Sequence, residues 1–130
     1  MERIVIYLDT HVVAWLYEAR LELFPERAKQ LLEEHELLVS PMVVLELQYL
    51  NEIARILVEA PVIVEYLESA VGLRVCPLPF HRIVMEALDT PWTRDPFDRL
   101  IVAHAAAANS FLLTKDTVIR ANAPKLAVWD

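Results

Sequence analysis

The stretch IVIYLDTH, from Ile4 to His11, decides the fold class of this chain. Its run Ile4–Leu8 is apolar throughout, which predicts a short strand covered on both faces rather than a strand with one wet side. Asp9 follows this run directly, and a helix is predicted immediately after it. In open α/β sheets ligands bind beyond the carboxyl ends of the strands, so Asp9 is expected at the functional edge of such a sheet.

The alternation of short apolar runs and helical segments continues along the whole chain. The predicted strands are Ile4–Leu8, Leu37–Val39, Leu73–Leu78, Phe111–Leu113 and Leu126–Trp129. The predicted helices are His11–Tyr17, Pro25–His35, Pro41–Leu57, Val62–Val71, His81–Leu88, Pro96–Asn109 and a short one from Thr117. This order predicts an α/β fold with a mainly parallel sheet of about five strands and helices on both faces, α/β/α. Without a linker or a repeat, residues 1–130 are expected to form one domain.

The composition excludes several classes of protein. No run approaches the roughly 18 uninterrupted apolar residues of a membrane span, and the first residues lack the features of a signal peptide. The chain has one cysteine, Cys76, and one glycine, Gly72, which excludes an intrachain disulfide and a glycine-rich phosphate loop. A cytoplasmic location without membrane contact is therefore expected.

Two totals bear on the partners. Hydrophobic residues make up 56% of the chain, more than is usual for a soluble protein, which indicates a surface covered by another protein. The net charge is −7, from 12 basic and 19 acidic residues. That balance argues against a nucleic-acid partner, unless several acids converge on divalent cations and invert the local charge.

Three aspartates stand out by their positions. Asp9 and Asp116 each follow a predicted strand, and Asp98 lies in the first turn of the helix that Pro96 opens. Each also has a purely structural interpretation. An aspartate after a strand is often the N-cap of the next helix, and Asp98 could complete a capping box with Asp95.

Glu46, within the predicted helix Pro41–Leu57, is harder to explain as a structural residue. The predicted solvent face of this helix carries Gln48, Asn51, Glu52 and Arg55. Glu46 lies off that face, among apolar neighbours and without a basic residue at helical spacing. A buried carboxylate must be protonated, paired or bound to metal, which favours a metal or a pocket open to water. Oxygen ligands of this kind select Mg²⁺ or Mn²⁺.

Four blocks of the sequence resemble those of PIN domains, and among them those of the VapC toxins. The blocks are LDTH at 8–11, SPMVVLEL at 40–47, RDPFDRL at 94–100 and LTKD at 113–116. They occur in the family's order and span nearly the whole chain.

The resemblance implies a PIN-like α/β/α nuclease domain with an acidic pocket that holds Mg²⁺ or Mn²⁺. Its catalytic and metal-binding residues would be Asp9, Glu46, Asp98 and Asp116. It implies an endoribonuclease that hydrolyses RNA phosphodiester bonds with a metal-activated water, the toxin of a type II toxin–antitoxin pair. The implied partners are the RNA substrate, a cognate antitoxin protein and a second copy in a homodimer.

Other side chains keep two interpretations each. His11 either assists a proton transfer beside Asp9 or orients its neighbours at the start of a helix. Arg94 and Arg99 either hold RNA phosphate or form salt bridges to nearby acids. His104 shares a face with apolar residues and is expected in the core or an interface.

Two rival functions remain. The first is a catalytically silent PIN-like module that binds RNA or protein; four retained acids count against it. The second is a phospho-receiver domain, which needs an acceptor aspartate at the end of a middle strand. The third predicted strand here ends in Pro77, Leu78 and Pro79, without an aspartate.

Overall fold

A computed structural model describes residues 4–130, and within them it contains one five-stranded sheet and seven α-helices. The strands are β1 (Val5–Leu8), β2 (Glu36–Val39), β3 (Arg74–Val75), β4 (Phe111–Leu113) and β5 (Ala127–Val128). The helices are α1 (Thr10–Tyr17), α2 (Glu26–Glu34), α3 (Pro41–Glu52), α4 (Ala60–Val71), α5 (Phe80–Ala87), α6 (Pro96–Ala107) and α7 (Thr117–Asn122). The strand order is β3-β2-β1-β4-β5 and every pair is parallel, which confirms the predicted fold class.

The register of the central strands positions the functional edge. Leu8 at the end of β1 pairs with Leu113 at the end of β4. The next residues, Asp9 and Thr114, therefore emerge side by side, and the Asp9 N–H donates to the Leu113 carbonyl at 3.1 Å. Parallel pairing alone thus brings two polar side chains together at the carboxyl edge.

The core explains why the strands read as continuous apolar runs. Ile6 and Leu8 of β1 and Leu112 of β4 are fully buried. Because consecutive strand residues point to opposite faces, such runs are buried only where both faces are covered. On α6, alanines allow a close approach of α5, and Ala103 packs with Ile83 in a small apolar cluster.

Two helix starts follow the predicted capping chemistry. The Ser40 hydroxyl accepts from the Met42 N–H at 3.0 Å, with Pro41 at the first helical position. Asp95 Oδ1 accepts from the N–H groups of Phe97 at 2.8 Å and Asp98 at 3.2 Å. These caps fix where the helices that carry Glu46 and Asp98 begin.

Helix α3 departs from its prediction in length and in its solvent face. It ends at Glu52 rather than Leu57, because Asn51 Nδ2 donates to the Ile56 carbonyl at 3.0 Å and Ala54 takes a φ of 61°. The chain folds back there instead of continuing as a helix.

Two members of the predicted solvent face of α3 are structural. Asn51 is one of them, and Gln48 Oε1 accepts from the Ala60 N–H at 3.0 Å at the start of α4. Glu52 and Arg55 are exposed as predicted. An apolar stripe is exposed as well, formed by Leu45 and Tyr49 of α3 and by Ile53 directly after it.

The third strand is also shorter than predicted. The run Leu73–Leu78 contributes only Arg74–Val75 to the ladder, at an edge of the sheet. Leu73 and Cys76 remain buried beside it, so the apolar signal there reflects burial more than strand pairing. Among residues 4–130, none of the helices has both the length and the apolar character needed to cross a bilayer.

Candidate active site

Asp9 is the most rigidly held acid of the functional edge. Its side chain is buried, and Oδ1 accepts from the Thr10 N–H at 2.8 Å. Oδ2 accepts from the Thr114 hydroxyl at 2.6 Å, across the β1–β4 pair. The structural interpretation of Asp9 as a cap of α1 is therefore correct, and the same bonds aim its carboxylate at the carboxyl edge of the sheet.

His11 joins this acid to the loop after β4. Its Nε2 accepts from the Lys115 N–H at 2.9 Å, while Nδ1 lies 3.6 Å from Asp9 Oδ2. Since Nε2 is an acceptor, the bonding pattern assigns the proton of the neutral ring to Nδ1, on the side of Asp9. Burial lowers the pKa of His11, against the opposing effect of the Asp9 and Asp116 charges. The ring thus contacts both Asp9 and the loop after β4.

Asp116 is attached to the same network and caps α7. Its Oδ1 accepts from the N–H groups of Val118 and Ile119, both at 2.9 Å. Its own N–H donates to the Thr114 hydroxyl oxygen at 3.0 Å. Thr114 thus contacts both Asp9 and Asp116 and fixes their relative positions.

Glu46 reaches the site from α3. The Thr10 hydroxyl donates a short hydrogen bond to Glu46 Oε1, which connects the first turn of α1 to α3. Burial raises the pKa of Glu46; the Thr10 hydrogen bond opposes this shift, and the charges of Asp9 and Asp95 add to it. Glu46 is half-buried, and its hydrogen-bond partner is a hydroxyl rather than a cation.

Asp98 shows that the acids share one region. Burial raises its pKa to about 7, and the negative charges of Asp9, Asp95, Asp116 and Glu46 contribute in that order. Four neighbouring acids acting on one carboxyl require all of them to lie near it. The structure does not form the reciprocal bond of a capping box, because the Asp95 N–H donates to the Thr93 hydroxyl at 3.3 Å.

The acidic cluster has no cation of its own. Within residues 4–130, none of the ion pairs involves Glu46, Asp98 or Asp116. In the same range, no three Asp, Glu, His or Cys side chains converge closely enough to enclose an ion. The acids line an open edge, and their donor chemistry and unrelieved repulsion fit a hard divalent cation.

Three further residues that the sequence analysis considered differ from one another in their surroundings. Arg99 Nε donates to the Ala87 carbonyl at 2.8 Å, so this side chain helps to fasten α6 to the end of α5. Arg94 is exposed just before α6. His104 is buried, with Nδ1 2.8 Å from the Ser40 hydroxyl and 3.1 Å from the Leu100 carbonyl, as expected for a core residue. It links the start of α3 to α6.

Sequence reasoning missed the two threonines. Thr10 and Thr114 make the hydrogen bonds that orient Glu46, Asp9 and Asp116. A usable signal was present, because each threonine directly follows a strand or an acid within the LDTH and LTKD blocks. Paired hydroxyls beside strand-end acids are what an ordered carboxylate cluster needs.

The pKa of Asp98 predicts how the metal-free protein responds to pH. With a folded-state pKa of about 7 and an ordinary value of 3.8, the folded state binds a proton that the unfolded state lacks between these values. The contribution of Asp98 to stability therefore falls as pH rises from about 4 to about 7, and then stays level.

The Asp98→Asn substitution removes this pH-dependent loss of stability. In EDTA, the difference in unfolding free energy between variant and wild type should grow in favour of the variant across that pH range. Denaturant melts at several pH values measure it. A difference that is constant with pH would show that neither burial nor the other acids raise the pKa of Asp98.

The chain matches the sequence profile of the PIN domain over residues 6–124. No curated protein sequence is significantly similar to it. Its fold is similar to that of a chain in the crystal structure of VapBC2 from Rickettsia felis bound to a DNA fragment from their promoter. The TM-score is 0.67 and the sequence identity 17%, and the similarity covers 98% of this chain and 100% of that one. A chain in the structure of VapBC-1 from nontypeable Haemophilus influenzae gives a TM-score of 0.67 and 21% identity over 98% of both chains.

A third similar structure is a domain of a functionally unknown protein from Methanocaldococcus jannaschii, with a TM-score of 0.60 and 22% identity over 98% of this chain and 91% of that one. At such identities the structures agree in fold. The match to the PIN-domain profile is instead a similarity in sequence, and it covers most of the chain and all four acids of the site. This chain belongs to the PIN-domain family.

Proposed function

We propose that this protein is a metal-dependent endoribonuclease of the VapC type, the toxin of a type II toxin–antitoxin pair, acting in the cytoplasm. The observation that carries the proposal is the arrangement of acids at the carboxyl edge, where Thr114 bonds to both Asp9 and Asp116 and Thr10 bonds to Glu46. The raised pKa of Asp98, caused by burial and then by the neighbouring acids, is consistent with it. A PIN fold supplies the context in which such a cluster cuts nucleic acid.

The residues that would hold Mg²⁺ or Mn²⁺ are Asp9, Glu46, Asp98 and Asp116. When bound, such an ion offsets phosphate charge and lowers the pKa of a water molecule. The chain's own contribution is to hold these acids in place before any substrate arrives. Asp9, Glu46 and Asp116 are hydrogen-bonded within the fold, and ligands held in this way lose little freedom on binding, which favours affinity and geometry.

The remaining residues have positioning and binding roles. Thr10 and Thr114 orient the acids, and neutral His11 keeps the loop after β4 beside Asp9. Arg94 is free to meet RNA phosphate from the exposed segment before α6. Arg99 can do so only with the guanidinium nitrogens that its bond to Ala87 leaves open.

The test is direct. Purified protein, refolded to remove any bound inhibitor, is incubated with single-stranded RNA in Mn²⁺ and in EDTA. Internal cuts that require Mn²⁺ and are absent in EDTA are expected. Intact RNA in Mn²⁺, with protein that binds RNA, would favour the silent binding module instead.

An antitoxin partner is proposed on two grounds. The chains of similar fold come from VapBC assemblies. The described part of this chain also exposes many large apolar side chains, among them Leu21, Tyr66, Phe80 and Leu88. We propose that the antitoxin covers some of these side chains.

We also propose a homodimer, formed through the exposed apolar stripe of Leu45 and Tyr49 on α3 and Ile53 directly after it. Leu45→Lys places a charge in this stripe and is expected to shift the protein from dimer to monomer. Val118→Lys, an equally exposed apolar site on α7, is the control and should leave the dimer intact. Light scattering at micromolar concentration decides, and a monomeric wild-type protein would contradict the proposal.

A further inference from the structure

A shallow cavity opens next to the acidic edge. It has a volume of about 440 Å³ and is lined by His11, Trp15, Lys115, Asp116 and Thr117. We call it the base pocket. It shares His11 and Asp116 with the site described above, while its other three residues have no part in holding the acids. Its size is at the lower end of ligand pockets, roughly 300–1,000 Å³, which suits one nucleotide rather than several.

The floor of the base pocket is a fixed aromatic surface. Trp15 is partly exposed, and its ring centroid lies 6.1 Å from that of Phe24 and 6.2 Å from that of Trp129. The His11 ring lies 5.0 Å away on the pocket side. Because Phe24 and Trp129 are buried, the Trp15 ring is held from behind and needs no rearrangement to receive a flat ligand.

The mouth of the base pocket carries a positive charge. Lys115 is exposed, and its Nζ lies 5.7 Å from the centroid of the Trp15 ring. Within residues 4–130 this ammonium forms no ion pair. In a chain with a net charge of −7, an unpaired lysine beside an aromatic ring and a metal-binding edge is well suited to attract an anion.

We propose that the base pocket receives one nucleotide of single-stranded RNA, adjacent to the phosphodiester that is cut. The base stacks on Trp15, Lys115 leaves the ring to pair with a phosphate, and the Thr117 hydroxyl hydrogen-bonds to an edge of the base. This inference rests on the proposed ribonuclease function and adds a determinant of which RNA sequence is cut.

The energetics favour this exchange. Stacking of a base on an aromatic side chain is a stronger interaction than a cation–π contact at an exposed site. A base can therefore replace the Lys115 ammonium on the ring, and the ammonium gains a phosphate in return. Single-stranded RNA is the ligand that offers an unpaired flat face and an adjacent negative charge together.

The first arm of the test maps cleavage sites in a random single-stranded RNA with Mn²⁺. The wild type is expected to prefer certain bases at one position beside the cut. Trp15→Leu and Thr117→Val should flatten that preference, while Trp15→Phe, which keeps a ring, should retain it. Unchanged preference in the folded Leu and Val variants would overturn the proposal.

The second arm measures binding without cleavage. In an Asp98→Asn, Trp92→Phe background, a short single-stranded RNA should quench the remaining tryptophan fluorescence. Lys115→Ala should weaken binding by about tenfold, as expected for the loss of one phosphate contact. Lys125→Ala is the matched control, because Lys125 lies just before β5, at the amino ends of the strands and away from the carboxyl edge. This variant should change the affinity for RNA less than about twofold.

The two arms separate the inference from the function on which it rests. Binding without quenching, or equal effects of the two lysine variants, would overturn the base pocket even if the enzyme cuts RNA. A wild type that cuts no RNA, yet quenches and depends on Lys115, would overturn the ribonuclease proposal and leave the nucleotide pocket supported.

Discussion

Replacement of Asp98 by asparagine is expected to reduce RNA cleavage by more than about 100-fold, since changes to mere partners of metal ligands already cost about 10- to 100-fold. The fold should survive, because the Asp98 carboxylate accepts no hydrogen bond from the residues that the structure describes. The backbone N–H of Asp98 is capped by Asp95 and is unaffected by the change. Initial rates on labelled RNA in Mn²⁺, with circular dichroism as a check on folding, measure the effect.

Asp95→Asn is the matched control. Asparagine caps a helix about as well as aspartate, so α6 should start at the same residue. The variant loses one charge that acts on Asp98 and Glu46, so only a small change in metal dependence is expected. Equal losses in the two variants would show that charge in general, rather than the Asp98 carboxylate itself, supports cleavage.

Glu46→Gln is expected to separate stability from metal binding. The amide oxygen of glutamine can still accept from the Thr10 hydroxyl, while the charge that burial and Asp9 disfavour is removed. In EDTA at pH 8 the variant should melt at or above the wild-type temperature. It should not cut RNA.

Mn²⁺ should then distinguish the two proteins. At a Mn²⁺ concentration one hundred times the dissociation constant, binding raises the unfolding free energy of the wild type by about 2.7 kcal/mol. For a domain of this size, this corresponds to a rise in Tm of about 10 °C. The rise should be less than about half of that in Glu46→Gln. Glu52→Gln, exposed on the same helix, should respond like the wild type.

A strongly destabilised Glu46→Gln protein with an unchanged response to Mn²⁺ would contradict this expectation. Glu46 would then be a structural partner of Thr10 and not part of a metal site.

Much of the fold follows from local patterns. The apolar runs located all five strands, and Ser40 and Asp95 marked the starts of α3 and α6 within a residue. The end of α3 could not be read in the same way, because it is set by the turn that follows, in which Ala54 has a positive φ. The Asn51 bond to Ile56 is a fact of the folded loop, and the helical periodicity runs past it.

The four acids of the candidate site were named from the sequence, whereas the two threonines that bond to three of them were not. Asp9 and Asp116 follow strands, so the topology alone brings them to one edge. The partner of Glu46 could not be found at helical spacing, since Thr10 is distant in sequence and comes close only when α1 packs on α3. Arg99 was weighed as a phosphate ligand or an ion pair. Its bond to a backbone carbonyl of α5 depends on packing that the sequence does not reveal, and it leaves the other guanidinium nitrogens open.

The four acids differ in how their loss would affect the rest of the molecule. Asp9 and Asp116 accept backbone N–H groups at helix starts, and loss of such a cap typically costs about 1 kcal/mol of stability. The side chains of Glu46 and Asp98 do not cap a helix start. A lineage that abandons catalysis can therefore substitute these two first without losing the folded protein, whereas changes at Asp9 or Asp116 also expose it to degradation. In related proteins that have lost catalysis, the acids on α3 and α6 should therefore be substituted first, and those that follow the strands last.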